Sequence, residues 1–255
     1  MYQDAHIHLQ DCRDNTFREA FLKAAGSGGM ERIFCNASAP TDWNTIASMA
    51  RVNKAIIPFF GVHPWFAVML PAGWDDRLRK LVQLPGAGLG EIGLDKMRDE
   101  VPWRTQKDVF EKQLAMAVEF RKPFVVHCVR AWGELTAVLK SFELKAPFIV
   151  HAFYGPVEMI PLLLEMGGFL SFSSRQLEHC APKTKKALLA VPLERLLLET
   201  DYPGWHDTIT HIEDYKILLQ RLYKNAASVK GVSAESLSEK VWENGSIFTH
   251  GTSDR

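Results

Sequence analysis

Residues 3–9, Gln3-Asp4-Ala5-His6-Ile7-His8-Leu9, form a short β-prone run that ends on chemistry-bearing side chains. Seven more runs share that design, at residues 32–37, 55–62, 88–93, 123–128, 147–152, 168–173 and 195–199. Their ends, taken at His8, Asn36, His63, Glu91, His127, His151, Ser173 and Asp201, fall 22 to 36 residues apart, the repeat of a strand followed by a helix. Eight such units predict an α/β fold, a (β/α)8 TIM barrel. Between the runs, Phe110, Leu114, Ala117 and Val118 make one apolar stripe at helical spacing, and Tyr215, Leu218, Leu219, Leu222 and Tyr223 make another. Thr210 with Glu213 predicts a capping box at the start of the second helix. Residues 233–248 predict an extra C-terminal helix packed on the barrel exterior.

The length of 255 residues corresponds to about 1.7 average domains, yet parallel barrels of about 250 residues form one domain. Residues 1–255 are therefore read as a single barrel domain. A composition of 47% hydrophobic and 24% charged residues excludes disorder, collagen and coiled coil. Thirty basic and thirty acidic residues cancel, so no global field draws the chain to nucleic acid or an anionic membrane. Cys12, Cys35, Cys128 and Cys180 form no CxxC pair and read as reduced thiols. The start lacks a signal-peptide pattern, and no apolar run is long enough for a membrane span, so the expectation is a cytoplasmic monomer.

Strand side chains alternate faces, so Asp4, His6 and His8 are expected on one face, with Ala5, Ile7 and Leu9 on the other. Two imidazoles on one strand suit a metal, but equally suit two hydrogen-bonded histidines. The other strand ends decide between these. In a βα barrel all carboxyl ends lie on one face, so His6, His8, His63, Glu91, His127, His151 and Asp201 converge there. Five imidazoles and two acids gathered without a cation would leave uncompensated polar groups in a rim.

The ordered signatures DAHIHL, FFGVHPW, GEIGLD, FVVHC, IVHAFYG and LLLETDYP closely resemble the TatD-like metal-dependent hydrolases, a branch of the amidohydrolase superfamily that includes deoxyribonucleases. The resemblance implies a (β/α)8 barrel with two divalent ions. It implies that His6, His8 and Asp201 hold one ion, that His127 and His151 hold the other, and that Glu91 bridges both. His63 would contact substrate. A carboxylate suits the bridging role because each oxygen can ligate one ion, and paired ions acidify water and neutralise charge on the reacting oxygen. Asp201 can then take a proton as general base. The N/O donor set admits Zn, Mn, Fe, Co or Mg.

Asp95 reads either as the partner of a ligand histidine or as a loop residue, and Arg130 as a phosphate contact at the rim or a surface arginine. Cys128 reads as a buried inert thiol, Asn244 as structural, and the run Lys183-Thr184-Lys185-Lys186 as a solvated helix face. Compared with the family, Ile7 and Ala152 stand at positions where relatives carry Cys, Lys96-Met97 replaces aromatic residues, and the loop after Asp201 is shorter. The zero net charge disfavours tracking of a long duplex and favours DNA ends or short oligonucleotides, with Trp65, Trp132 and Trp205 as candidate base-stacking surfaces. The expected activity is a nuclease working from an end. The alternatives are hydrolysis of a carboxylic ester or amide, such as an aminoacyl-nucleotide, and a metal-binding barrel without turnover.

Overall fold

The computed structural model describes residues 1–250 except 13, 28, 205 and 207. Eight parallel strands follow one another around the sheet: β1 (Tyr2–Ile7), β2 (Met30–Asn36), β3 (Ile56–Phe60), β4 (Gly88–Asp95), β5 (Phe124–Val129), β6 (Phe148–Val150), β7 (Gly168–Ser173) and β8 (Leu196–Glu199). Each agrees with one of the eight apolar runs to within two residues at either end. The helices are α1 (Asn15–Ala24), α2 (Trp43–Val52), α3 (Trp74–Val82), α4 (Trp103–Phe120), α5 (Trp132–Lys140), α6 (Ile160–Glu165), α7 (Ser174–His179), α8 (Pro182–Ala190), α9 (Ile212–Lys230) and α10 (Ala234–His250). Helices α1 to α9 wrap the sheet, so β4 and β8 are buried along their whole lengths, as strands covered on both faces must be.

The ring closes just past β8. The Asp201 N–H donates to the His6 carbonyl (3.0 Å), and the His8 N–H donates to the Tyr202 carbonyl (2.7 Å). Those two bonds carry Asp201, the last of the predicted site residues in the chain, to His6 and His8, the first two.

Simple alternation fails in β1. Between Asp4 and Ile7 this strand advances three residues while β2 advances two, from Ile33 to Cys35. Such a bulge reverses the facing of side chains beyond it. Asp4 therefore leaves the face of His6 and His8, correcting the expectation above. Its carboxylate accepts from the backbone N–H groups of Thr200 (2.9 Å) and His6 (3.1 Å), from the Tyr215 hydroxyl of α9 (2.6 Å) and from the Thr200 hydroxyl. Burial pushes Asp4 up to about 7 against those four donors.

Two helix expectations are also corrected. The N-cap of α9 is His211 without a side-chain cap bond, so the Thr210/Glu213 box does not form. The start of α9 is set instead by the Tyr202 hydroxyl bonded to the Ile209 carbonyl (2.8 Å) and by buried Tyr215. The extra helix α10 does not lie on the outer wall. Phe248 sits 5.6 Å from Phe34, 5.6 Å from Phe59 and 6.2 Å from Phe169, rings of three different strands, so it plugs the interior at the amino end. Asn244 Nδ2 donates to the Leu193 (2.7 Å) and Leu196 (2.8 Å) carbonyls, the structural role expected for it. Gln3 Nε2 donates to the Val241 carbonyl (2.7 Å) on the same helix. No helix among the described residues is long and apolar enough to cross a membrane.

Candidate metal centre

Glu91 lies in β4, almost fully buried, in the middle of the carboxyl-end mouth. One of its oxygens, Oε2, is 3.2 Å from His6 Nε2 and 3.3 Å from His8 Nε2, and those two nitrogens are 3.0 Å apart. The other, Oε1, is 2.7 Å from His127 Nδ1 and 2.8 Å from His151 Nε2, which are 3.2 Å apart. Two triangles of donor atoms thus share one carboxylate. Metal–nitrogen bonds of about 2.0–2.1 Å in a tetrahedral shell place neighbouring donor atoms about 3.3 Å apart, close to the edges seen here. Asp201, partly exposed at the rim, brings Oδ1 to 3.7 Å from His8 Nε2.

The outward nitrogens explain the orientation of the rings. His8 Nδ1 is 2.9 Å from the Asn36 carbonyl, His151 Nδ1 is 3.2 Å from Glu199 Oε1, and His127 Nε2 is 3.3 Å from Asp95 Oδ2. An imidazole that donates one N–H to an oxygen keeps the lone pair of its other nitrogen free, and all three free nitrogens face Glu91. His6 stacks on His151 at 4.1 Å, and its Nδ1 is buried with no hydrogen-bond partner among the described residues. The donor set fits divalent cations.

The electrostatics follow from crowding imidazoles around one buried carboxylate. Burial alone would raise Glu91, but His151, His63, His6 and His127 outweigh it and hold the carboxyl well below its usual range. Burial opposes a charge on His151 too, yet Glu91 and Glu199 raise it well above the ordinary imidazole value. For His8, burial is again outweighed, by Glu91 and Asp201, and the result is about 9. His63 goes the other way: burial and neighbouring His127 lower it to about 4. Its Nδ1 accepts the Trp65 N–H (3.2 Å), so its proton is on Nε2, 3.4 Å from Glu91 Oε1.

Six of the seven residues named from the sequence line this mouth, a cavity of about 490 Å³ whose wall also carries Asp11, Asp42, Trp65 and Pro203; the seventh, His6, is fully buried beneath it against Glu91. No Lys or Arg lines it among the described residues. A larger hollow of about 640 Å³ lies on the barrel flank between α2 and the turn before β4, without any histidine or acid.

Asp95 is the partner of a ligand-type histidine; it also accepts the Trp65 Nε1–H (2.6 Å). Arg130 is exposed just past β5, outside the mouth lining. Burial pushes the Cys128 thiol up to about 12, as an inert core thiol requires. Lys183, Lys185 and Lys186 are all exposed, the solvated helix face expected of that run, with Lys183 donating to the Tyr154 carbonyl (2.9 Å). Trp132 packs edge-on against Phe153 at 5.2 Å, away from the mouth, and Trp205 lies outside the described residues.

One residue escaped the sequence reading. Glu199, fully buried in β8, accepts from His151 Nδ1, from the Ala152 N–H (2.9 Å) and from the Ser171 hydroxyl. The signal was available, since Glu199 stands two residues before Asp201 and alternation gives both the same facing. His6, His151 and Glu199 form one compact donor group, but the bonds of Glu199 to His151 and Ala152 make it the partner behind His151.

A closed parallel barrel with this histidine and carboxylate set at its carboxyl-end mouth defines a metal-dependent hydrolase. The model of the TatD related DNase family matches residues 3–249, and the chain belongs to that family. A protein of Pantoea vagans described as a 3'-5' ssDNA/RNA exonuclease TatD is 30% identical over 255 residues, covering 94% of this chain and 96% of the relative. The Schizosaccharomyces pombe deoxyribonuclease Tat-D is 26% identical, over 89% of this chain and 85% of its own. The crystal structure of the TatD homologue YjjV of Escherichia coli superposes with a TM-score of 0.86 at 21% identity, covering 97% of each chain, which shows the same fold.

Proposed function

We propose that this chain, acting as a single-domain cytoplasmic monomer over residues 1–255, removes nucleotides from ends of single-stranded DNA or short oligonucleotides by hydrolysing phosphodiester bonds. The observation that carries the reading is Glu91, with one carboxylate oxygen in each of two histidine triangles. His6, His8 and Asp201 would hold one divalent ion, His127 and His151 the other, and Glu91 both. When bound, the ions acidify water at neutral pH and offset negative charge on the reacting oxygens. The N/O donors suit Zn, Mn, Fe or Co, with Mg as a further candidate.

The protein's own groups supply the rest. Asp201 stands at the rim beside His8, where its free oxygen takes a proton from attacking water. His63, neutral and with its proton on Nε2, offers a donor to a substrate oxygen from inside the mouth. Glu199 and Asp95 hold His151 and His127 in the required orientation. A lining without Lys or Arg among the described residues leaves most of the phosphate charge to the ions, which suits one phosphodiester at a strand end and not a duplex backbone.

The test is metal-reconstituted protein on end-labelled single-stranded DNA, beside a panel of phosphoesters and carboxylic esters. Stepwise release of mononucleotides is expected, and Glu91→Ala should abolish it while losing both ions by elemental analysis. Turnover of carboxylic esters alone would replace the nuclease reading with the ester one, and silence across the panel would favour a binding barrel. Full activity of Glu91→Ala with two tightly bound ions would overturn the bridging assignment.

A further inference from the structure

Of the described aromatic residues that line the mouth, Trp65 and Phe66, Trp65 is the exposed one, and the chemistry leaves its placement unused. It lines the mouth, is 40% exposed, and its ring centre is 4.9 Å from that of His63 and 6.4 Å from that of His127. Its Nε1–H is tied to Asp95 (2.6 Å), which fixes the plane of the indole. The Arg98 guanidinium lies over the ring, 3.7 Å from its centre. Arg98 also lines an adjoining hollow of about 540 Å³ with Lys96, Asp99 and Trp103, so the stacked pair stands between that hollow and the mouth. The opposite wall carries Ser38, Ala39, Thr41, Asp42, Pro203 and Gly204, with no aromatic face among the described residues.

We propose that Trp65 and Arg98 form a stacking platform for one nucleobase of the substrate, the base lying on the guanidinium layer that the indole supports. A half-open Arg–Trp stack presents a flat cationic π surface that accepts any base. The location fits as well. The platform stands beside the His63 and His127 side chains, next to a substrate held in the mouth. Arg98 supplies near the substrate the positive charge that the mouth lining lacks. The platform discriminates for nucleotides over base-free phosphodiesters and is indifferent to base identity.

This inference rests on the nuclease reading, and the experiment separates the two. Steady-state rates are measured for Trp65→Leu, Trp65→Phe and Arg98→Ala on a short single-stranded DNA, on copies carrying one abasic residue at each of the last three positions, and on an all-abasic strand of the same length, whose diesters carry no ring. The ratio of kcat/KM for the DNA to that for the base-free diester should fall about tenfold in Trp65→Leu and Arg98→Ala, through KM. Trp65→Phe keeps a ring and loses the bond to Asp95, so it should retain the KM for DNA while kcat falls for both substrates. One abasic position should cost the parent protein the same tenfold and cost Trp65→Leu nothing further. Equal ratios in all variants, or abasic penalties unchanged by Trp65→Leu, would overturn the platform while leaving nuclease activity intact. Failure of the parent protein to cleave or bind the DNA, read by anisotropy of a labelled strand, would overturn both.

Discussion

Replacing Glu199 with Gln isolates the charge behind His151. In the parent protein Glu199 Oε1 accepts from His151 Nδ1 (3.2 Å) and from the Ala152 N–H (2.9 Å), while the other oxygen accepts from the Ser171 hydroxyl. The Gln amide oxygen can keep the first two bonds, and its NH2 can donate to Ser171 once that hydroxyl rotates to accept. The number of hydrogen bonds is preserved and only the charge is lost. A hydrogen bond to a charged group exceeds a neutral one by about 1 kcal/mol, and loss of a partner behind a ligating histidine weakens metal affinity by about 10–100-fold, or about 1.4–2.7 kcal/mol. The first figure lies just below the second range, so Glu199→Gln should raise the Zn Kd of the proposed His127/His151 site by about tenfold. Its melting temperature in the metal-free state should stay near that of the parent. Glu199→Ala should behave differently, because it leaves the His151 and Ala152 donors without an acceptor, at about 1–3 kcal/mol each. The assay is competition for Zn against a chelating dye, beside thermal unfolding followed by circular dichroism. Parent-like affinity for both ions in Glu199→Gln would refute the role assigned to this carboxylate.

Gly93→Ala should destabilise the barrel by about 3 kcal/mol or more in denaturant unfolding, because Gly93 has φ of 148° and a Cβ there would lie 2.0 Å from the His127 carbonyl oxygen. A loss within about 0.5 kcal/mol would contradict the close approach of β4 to β5. Thiol reactivity supplies a pH test. Burial pushes Cys35 and Cys128 up to about 12 and Cys12 to about 11, so the reactive thiolate of each is scarce at pH 8 and gains tenfold per pH unit as far as its raised value. Only Cys180, half-buried, should label rapidly in the native protein at pH 8, read by peptide mapping. A Cys128 rate that levels off near pH 9 would refute the burial argument.

The eight strands were legible because a parallel strand buried on both faces must be apolar through its length and polar where it reaches the mouth. That pattern is local in sequence. It located β7 at residues 168–173 without error and brought the ligand-type residues to the strand ends. Helix starts were less legible. The Thr210/Glu213 spacing matches a capping box, but the bonds of Tyr202 to Ile209 and of Tyr215 to Asp4 start α9 one residue later.

By itself, then, the sequence determined the barrel and the seven residues at its mouth, since topology places every carboxyl strand end on one face whatever the details of packing. Tertiary structure alone decided what depends on register and on contacts between segments far apart in the chain. The bulge in β1 sends Asp4 outward to Tyr215 while His6 turns inward, and no periodicity announces a one-residue slip. Phe248 enters the amino end of the barrel because three rings from separate strands leave space there, so α10 became a plug. Trp65 and Trp132 look alike as residues, yet Asp95 and Arg98 hold one at the mouth while Phe153 takes the other into packing. Glu199 acquires its role only when β6, β7 and β8 lie side by side, because a hydrogen bond spanning 48 residues is a property of the closed sheet and not of the strand that carries it.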